Sequence, residues 1–117
     1  MKILIVDDSR VMRMLVRRTL RQANIGEHEV EEAGNGVEAL EKLKTFYADW
    51  VLSDWNMPEM DGPALMNALK DAEYPGKIGF VTSQSAAEAR NSLLSTGAAF
   101  LITKPFTADD FEAIKWR

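Results

Sequence analysis

The sequence contains no cysteine and only one histidine among its 117 residues. Disulfides and thiolate metal sites are therefore excluded, which is consistent with a reducing cytosol and leads us to expect a cytoplasmic protein. The single histidine, His28, precedes a weak strand, so the pattern does not indicate a histidine phosphodonor of the kinase type.

Long apolar runs and an excess of positive charge are also missing. No apolar run approaches the roughly 20 residues needed to span a bilayer. The segment from Met1 to Asp7 is too short and too quickly acidic for a signal peptide. The formal net charge is -4, so nothing draws the whole chain toward nucleic acid. We expect no membrane partner and no direct binding of nucleic acid.

The composition that remains is that of one globular domain. Hydrophobic residues make up 46% of the chain and charged residues 27%, as in ordinary globular proteins. The length suffices for a hydrophobic core. Because no linker, repeat or low-complexity segment interrupts the chain, we interpret residues 1–117 as one domain.

Short apolar strands alternate with amphipathic helices along the chain. Strands are predicted at Ile3–Val6, His28–Ala33, Trp50–Ser53, Lys77–Val81 and Ala98–Ile102. Helices are predicted after Ser9, over Val37–Phe46 and Pro63–Lys70, through the alanine-rich residues 86–94 and after Thr107. Strands that are apolar throughout are typical of a parallel sheet buried on both faces. The pattern therefore predicts an open parallel α/β sheet with helices on both faces.

The first helix carries two different faces. One is predicted to be buried and contains Met12, Leu15, Val16, Thr19 and Leu20. The other is basic and contains Arg10, Arg13, Arg17 and Arg21. Two interpretations of the basic face stay open: it is a solvated surface, or it is a docking stripe for an acidic phosphodonor.

Side chains capable of chemistry follow four of the strands. They are Asp7, Asp8, Asp54, Thr82 and Lys104. In open parallel sheets the functional crevice lies at the carboxyl ends of the strands. Carboxylates gathered there require a proton or a cation, and oxygen ligands without cysteine favour Mg²⁺ over zinc. Together with a lysine and a hydroxyl, they indicate transfer of a phosphoryl group onto a carboxylate.

These residues bring a family into view, because the chain resembles the CheY-like receiver domains of two-component response regulators along its whole length. The resemblance rests on Asp7-Asp8 after the first strand, Asp54 after the third, Thr82 after the fourth and Lys104-Pro105 after the fifth. The run Ser-Asp-Trp-Asn-Met-Pro-Glu-Met-Asp-Gly at residues 53–62 is especially similar to that of chemotaxis response regulators.

The resemblance implies both a fold and a function. The fold is a flavodoxin-like, doubly wound, five-stranded parallel sheet of order 2-1-3-4-5 with five helices. The function is a phosphorylation-dependent signalling switch that regulates a partner or a fused effector, in chemotaxis or motility among other settings. The implied partners are a sensor histidine kinase or phosphotransfer protein and a downstream target. Such a domain is not an enzyme in the ordinary sense, since it catalyses only its own phosphotransfer and autodephosphorylation.

The resemblance also implies roles for the acidic residues. Asp54 is the expected phosphoacceptor. Asp8 and Asp54 are expected to bind Mg²⁺ directly, with the backbone carbonyl of Asn56 as a further ligand and Asp7 acting through water. Lys104 is expected to pair with the carboxylate or the phosphate.

Other implied roles concern switching and the lifetime of the phosphate. Thr82 is expected to hydrogen-bond a phosphate oxygen, with Phe100 as the aromatic switch residue where well-known members carry tyrosine. The peptide bond before Pro105 is expected to be cis, as proline permits. Asn56 and Gln84 stand at positions that tune hydrolysis of the acyl phosphate in this family.

Three rival functions remain to be weighed. A flavodoxin-type electron carrier shares the topology, but Asp7-Asp8 would repel a flavin phosphate. A haloacid-dehalogenase-type phosphatase also forms an aspartyl phosphate, but its two aspartates are separated by one residue, whereas Asp7 and Asp8 are adjacent. A receiver that has lost its chemistry and serves only as a binding module is disfavoured by the complete set of acids, Thr82 and Lys104.

Overall fold

A computed structural model describes residues 1–83, 95 and 97–116. The strands are β1 (Lys2–Val6), β2 (Glu29–Ala33), β3 (Trp50–Ser53), β4 (Lys77–Thr82) and β5 (Leu101–Thr103). The helices are α1 (Arg10–Gln22), α2 (Gly36–Lys42), α3 (Gly62–Asp71) and α4 (Ala108–Glu112). Within these residues no helix has the length and apolar character to cross a membrane.

The five strands form one parallel sheet in the order β2-β1-β3-β4-β5. The predicted flavodoxin-like fold and strand order are therefore confirmed. The part of the chain that the structure describes contains four of the five predicted helices. The predicted alanine-rich helix at residues 86–94 lies outside the described residues.

The two faces of the sheet carry two separate hydrophobic cores. Side chains alternate between them, as Leu4 and Val6 of β1 pack toward α2 and α3 while Ile3 and Ile5 pack toward α1 and α4. Strands β1 and β3 are buried on both faces. This double burial explains why their sequences are almost entirely apolar.

Helix α1 begins where the sequence predicts, because the Ser9 hydroxyl accepts a hydrogen bond from the Met12 N–H. Its buried face is narrower than expected. Val16 and Leu20 are buried, but Leu15 is 42% exposed, so its prediction as a core residue is wrong. Val16 and Leu20 face the sheet, and Leu15 lies beside this buried face.

Two element boundaries also differ from the sequence prediction. Helix α2 ends at Lys42 rather than Phe46; Phe46 still packs into the core from the turn that follows. Strand β5 begins at Leu101 rather than Ala98. The pairing with β4 nevertheless starts earlier, because the Ala99 N–H donates to the Ile78 carbonyl at 2.8 Å.

An aromatic cluster closes the sheet on the α1 and α4 face, at the end opposite the carboxyl edge. The Trp50 ring lies 5.5 Å from the Phe100 ring and 5.1 Å from the Trp116 ring, centroid to centroid. The Trp50 indole N–H donates to the Trp116 carbonyl at 3.1 Å. The cluster ties the residues after α4 to the central strand β3.

Helix α3 ends in a Schellman arrangement that uses a residue other than glycine. The Tyr74 N–H donates to the Leu69 carbonyl at 2.9 Å and the Glu73 N–H to the Lys70 carbonyl at 3.0 Å. This places Glu73 in the left-handed region, at φ 53. Side chains with a Cβ are strained there, by about 1 kcal/mol.

The strain at Glu73 predicts a stabilising substitution. Glu73→Gly is expected to raise the free energy of unfolding by about 1 kcal/mol, which corresponds to a rise of about 4 °C in the thermal midpoint. Thermal unfolding followed by circular dichroism tests this. Glu73→Ala is the matched control, because it removes the same side chain but keeps the Cβ, and it should give no comparable gain.

Candidate functional site

The turns after β1, β3 and β5 and the end of β4 meet at the carboxyl edge of the sheet. Neighbouring strands place their ends in register, with Val6 opposite Ser53 and Thr82 opposite Thr103. Asp54 is anchored directly to the neighbouring strand, since its N–H donates to the Val6 carbonyl at 2.8 Å. The sequence motifs are therefore brought together by ordinary parallel pairing.

Three carboxylates, those of Asp7, Asp8 and Asp54, converge at this edge. Each offers an oxygen that lies within 4.8 Å of the others. Asp7 is buried at 4% exposure, Asp54 is half-buried and Asp8 is exposed. The cluster is thus open to solvent on the Asp8 side and closed beneath Asp7.

The Lys104 ammonium lies between two of these carboxylates. Its Nζ is 3.1 Å from Asp7 Oδ2 and 3.5 Å from Asp54 Oδ2. The backbone N–H of Lys104 donates to the Thr82 carbonyl at 2.9 Å, which fixes the residue at the end of β5. The peptide bond between Lys104 and Pro105 is cis.

The Asp54 carboxyl has a raised pKa. Burial is the largest cause; the Lys104 ammonium opposes it, and the Asp7 carboxylate raises the pKa further. One oxygen, Oδ1, accepts a hydrogen bond from the Trp55 N–H at 2.7 Å. The other, Oδ2, faces Lys104. Asp54 is therefore a partly desolvated carboxyl whose ionised form would be favoured by additional positive charge.

The donor set fits a hard divalent cation. Magnesium binds oxygen ligands at about 2.1 Å, so oxygens on opposite sides of the ion are about 4.2 Å apart. The spacing within 4.8 Å among Asp7, Asp8 and Asp54 is close to that value. Receiver domains generally bind Mg²⁺ at an acidic pocket of this kind.

Asn56 and Thr82 differ in their exposure to solvent. Asn56 is exposed in the loop that follows Asp54, whereas Thr82 is completely buried at the end of β4. By strand alternation the Thr82 side chain lies on the same face as Phe80, in the core covered by α2 and α3. Gln84 lies outside the described residues.

The structure contradicts the assignment of Phe100 as the switch residue beside Thr82. The Phe100 ring packs with Trp50 and Trp116 in the core on the α1 and α4 face. Its place there is tight, because a Cβ on Gly79 would lie 2.3 Å from the ring. Phe100 therefore lies across the sheet from Thr82 and cannot move into space that Thr82 vacates.

Leu101 lies on the face that Phe100 was predicted to occupy. It pairs with Phe80 in the register of β4 and β5, and it packs against the core on the α2 and α3 face. A shift of one residue along a strand reverses the face. The sequence prediction named the residue one position earlier, whose side chain faces the other core.

Two arginines of the basic face of α1 are bound within the chain, and one of them, Arg13, reaches the site. Arg13 and Arg17 both bind the Glu32 carboxylate, each with an Nε to oxygen distance of 3.0 Å. Arg13 also donates from Nη1 to the Asp7 carbonyl at 2.5 Å. The predicted stripe is therefore neither a fully solvated face nor a free docking surface, because two of its members are bound within the chain.

Gly62 is a further residue that strand and helix patterns do not reveal. A Cβ at this position would lie 2.5 Å from the Asp54 carbonyl oxygen and 2.8 Å from the Phe80 ring. The chain must therefore be glycine where α3 passes behind the phosphoacceptor candidate. In the sequence, the only indication of this constraint is that Gly62 follows Asp61 at the start of α3.

Comparison with family models and curated proteins adds an independent finding. Residues 3–114 match the model of the response regulator receiver domain. The chain is 37% identical over 110 residues to the chemotaxis protein CheY-3 of Vibrio cholerae, covering 92% of this chain and 83% of that protein. It is 36% identical over 109 residues to the sensor protein EvgS of Escherichia coli strain K12, covering 93% of this chain. In EvgS the match spans only 9% of the protein's length.

Solved structures agree with the sequence comparisons. The chemotaxis protein CheY4 of Vibrio cholerae superposes with a TM-score of 0.81 at 33% identity, over 94% of this chain and 91% of that one. A CheY-like response regulator receiver domain protein from Methanospirillum hungatei superposes with a TM-score of 0.79 at 28% identity. That match covers 94% of this chain and 86% of the other one.

The raised pKa of Asp54 predicts a pH-dependent effect on stability. A carboxyl whose pKa is higher in the folded state favours folding at low pH, and this contribution is lost as the pH rises through the raised pKa. Asp54→Asn, which cannot ionise, is therefore expected to unfold at a higher temperature than the wild type at neutral pH. The difference should shrink as the pH falls.

Thermal unfolding at a series of pH values measures this effect. Asp71→Asn, at the exposed end of α3, is a suitable control because it removes one acid away from the site. An Asp54→Asn variant that is less stable than the wild type at neutral pH would contradict the argument.

Proposed function

The chain belongs to the response regulator receiver domain family, and we propose that Asp54 is the residue that accepts the phosphoryl group. The family places the chain in phosphorylation-dependent two-component signalling. Its members interact with histidine kinases and with effectors. The individual roles of the site residues, the cation and the partner surface are the subject of the proposal.

One observation carries the assignment of Asp54. The Lys104 ammonium bridges Asp7 and Asp54, at 3.1 Å and 3.5 Å, at an edge where three carboxylates meet. Of these acids, Asp7 is the most deeply buried and Asp8 the most exposed. Asp54 combines partial burial, a raised pKa and contact with the lysine, which suits a carboxylate that acts as a nucleophile and then carries a charged group.

The proposed step is displacement at phosphorus. An oxygen of the Asp54 carboxylate forms the new bond to phosphorus while the bond from phosphorus to the donor's imidazole nitrogen breaks. The bonding electrons leave with the imidazole, which takes up a proton. Lys104 lies where it can neutralise charge on a phosphoryl oxygen, and the Trp55 N–H holds the second carboxylate oxygen.

Asp8, Asp54 and the Asn56 carbonyl would hold Mg²⁺, with Asp7 acting through water. The bound cation supplies positive charge that lowers the repulsion between the carboxylates and the incoming phosphoryl group. Asp7 is well suited to the outer role, because its two oxygens already accept hydrogen bonds from the Ser9 N–H and from Lys104. Removal of the phosphoryl group by water would proceed at the same place. Asn56, which is exposed, and Gln84, which lies outside the described residues, would tune its rate.

The readout of phosphorylation is proposed to run through Thr82 and Leu101. A phosphoryl group on Asp54 adds acceptor oxygens that would attract the Thr82 hydroxyl. Leu101 borders the same core as Thr82, so it is the side chain able to follow. A receiver domain is a signalling domain, and no turnover beyond its own phosphorylation and dephosphorylation is proposed.

The exposed face of α1 is the proposed docking surface for the phosphodonor. It combines apolar and basic side chains beside the site, namely Arg10, Val11, Met14, Leu15 and Arg18. Val11, Met14 and Leu15 are 65%, 56% and 42% exposed, so three large apolar side chains are exposed on this one helix. We propose that an amphipathic segment with acidic flanks binds here, and that the domain acts in the cytoplasm.

The first test of the proposal is phosphorylation by a small donor. Incubation with acetyl phosphate and Mg²⁺ is expected to add one labile phosphoryl group, detected by intact mass. Asp54→Asn and the wild type with EDTA should show no adduct. Glu59→Gln, in the same loop, is a control that should behave as the wild type. A folded protein without any adduct would favour the rival interpretation, a binding module without chemistry.

The second test concerns the docking surface. Reversing the charge in Arg18→Glu is expected to slow phosphotransfer from the cognate kinase by about tenfold, because the encounter with an acidic donor loses its electrostatic steering. Phosphorylation by acetyl phosphate should keep its wild-type rate. Lys44→Glu, which reverses a charge after α2, is the control for net charge. Equal kinase rates for all three proteins would exclude α1 as the docking surface.

A further inference from the structure

Arg13 connects the start of the acidic cluster to the edge strand of the sheet. Its guanidinium donates from Nη1 to the Asp7 carbonyl at 2.5 Å and from Nε to Glu32 Oε1 at 3.0 Å. The side chain is only 17% exposed although it belongs to a surface helix. One planar group therefore makes two directed contacts with two different elements.

Glu32 on β2 is the residue that orients this guanidinium. Its two oxygens are shared, with Oε1 accepting from Arg13 and Oε2 accepting from Arg17 at 3.0 Å. Arg17 also donates to the Val30 carbonyl at 3.3 Å. The two arginines thus bind the same carboxylate from successive turns of α1, but only Arg13 extends to Asp7.

The Asp7 carbonyl accepts its hydrogen bond from the Arg13 side chain. The residue's other polar groups already have partners: its N–H donates to the Ala33 carbonyl at 3.1 Å, and its carboxylate binds Ser9 and Lys104. The carbonyl belongs to the peptide plane shared with Asp8. Because the Asp8 Cα lies in the same plane, a hydrogen bond that fixes the carbonyl also helps to fix the direction of the Asp8 side chain.

We propose that Arg13 is a positioning residue, held by Glu32, that orients the Asp7–Asp8 peptide so that the Asp8 carboxylate faces Asp54. This inference rests on the proposed function, because it assigns Asp8 to the cation-binding cluster. Arg13 acts through the main chain, and its hydrogen bond to Asp7 uses the carbonyl rather than a carboxylate oxygen of the cluster. It contacts neither Asp54 nor Lys104, so it is not proposed to take part in the chemistry.

Arg17 is the matched control for a substitution of Arg13. Arg13→Ala and Arg17→Ala each remove one ion pair with Glu32, but only Arg13→Ala removes the contact with Asp7. Mg²⁺ affinity, followed by the fluorescence of Trp55 beside Asp54, is expected to fall by about tenfold in Arg13→Ala. In Arg17→Ala it should stay within about twofold of the wild type. Arg13→Lys keeps the charge but not the planar fork and should recover only part of the loss.

Amide hydrogen exchange gives a second readout that requires no metal. The Ser9 N–H, which donates to Asp7 Oδ1 at 2.9 Å, reports on the order of the turn. Its exchange is expected to be about tenfold faster in Arg13→Ala than in Arg17→Ala, at a temperature where both variants are folded. Thermal unfolding of both variants measures the part of the effect that is only structural.

The outcomes separate this inference from the proposed function. Loss of Mg²⁺ affinity and of Ser9 protection in Arg13→Ala alone supports the positioning role. Equal changes in both variants would assign the effect to the Glu32 ion pairs, and no change in either would overturn the role of Arg13. A wild-type protein that binds no Mg²⁺ would refute the proposed function, and the exchange of the Ser9 amide would still decide whether Arg13 orders the turn.

Discussion

The Lys104 ammonium among the carboxylates is the interaction on which the site depends. The three carboxylates at one edge repel each other, and this repulsion favours their protonation or the displacement of the turns that carry them. Lys104 offsets this for Asp7 and Asp54 at once, from the end of a different strand. It leaves Asp8 exposed and without a cation of its own among the contacts of the described residues. The three carboxylates therefore keep a net negative charge beside the single ammonium, and this charge attracts a divalent cation.

The sheet provides the rigidity that this balance requires. Strands β1 and β3, which are followed by Asp7 and Asp54, are buried on both faces and lie inside the sheet. Displacing either acid would therefore disturb both cores. The charged side chains of the site, by contrast, lie on the turns that follow the strands. A rigid frame that carries adjustable charges allows one fold to serve as a switch.

The sequence predicted what depends on local pattern and on the rules of parallel sheets. The apolar runs of β1 and β3 and the acids that follow them identified both the fold and the edge where the site lies. The assignment of Phe100 failed because it depended on the register of a short strand, where one residue decides the face. Arg13 was misread for a different reason. Its partner Glu32 is 19 residues away, and no local pattern connects the two.

Strand β2 is the weakest strand by composition, and the structure places it at the edge of the sheet. It carries three glutamates, Glu29, Glu31 and Glu32, on a strand with one free side. An unpaired strand edge is a template to which another chain can add, and charged side chains oppose such pairing. The acidic residues of β2 therefore oppose the addition of another chain at this edge, and replacing them with apolar strand formers is expected to lower the solubility of the protein.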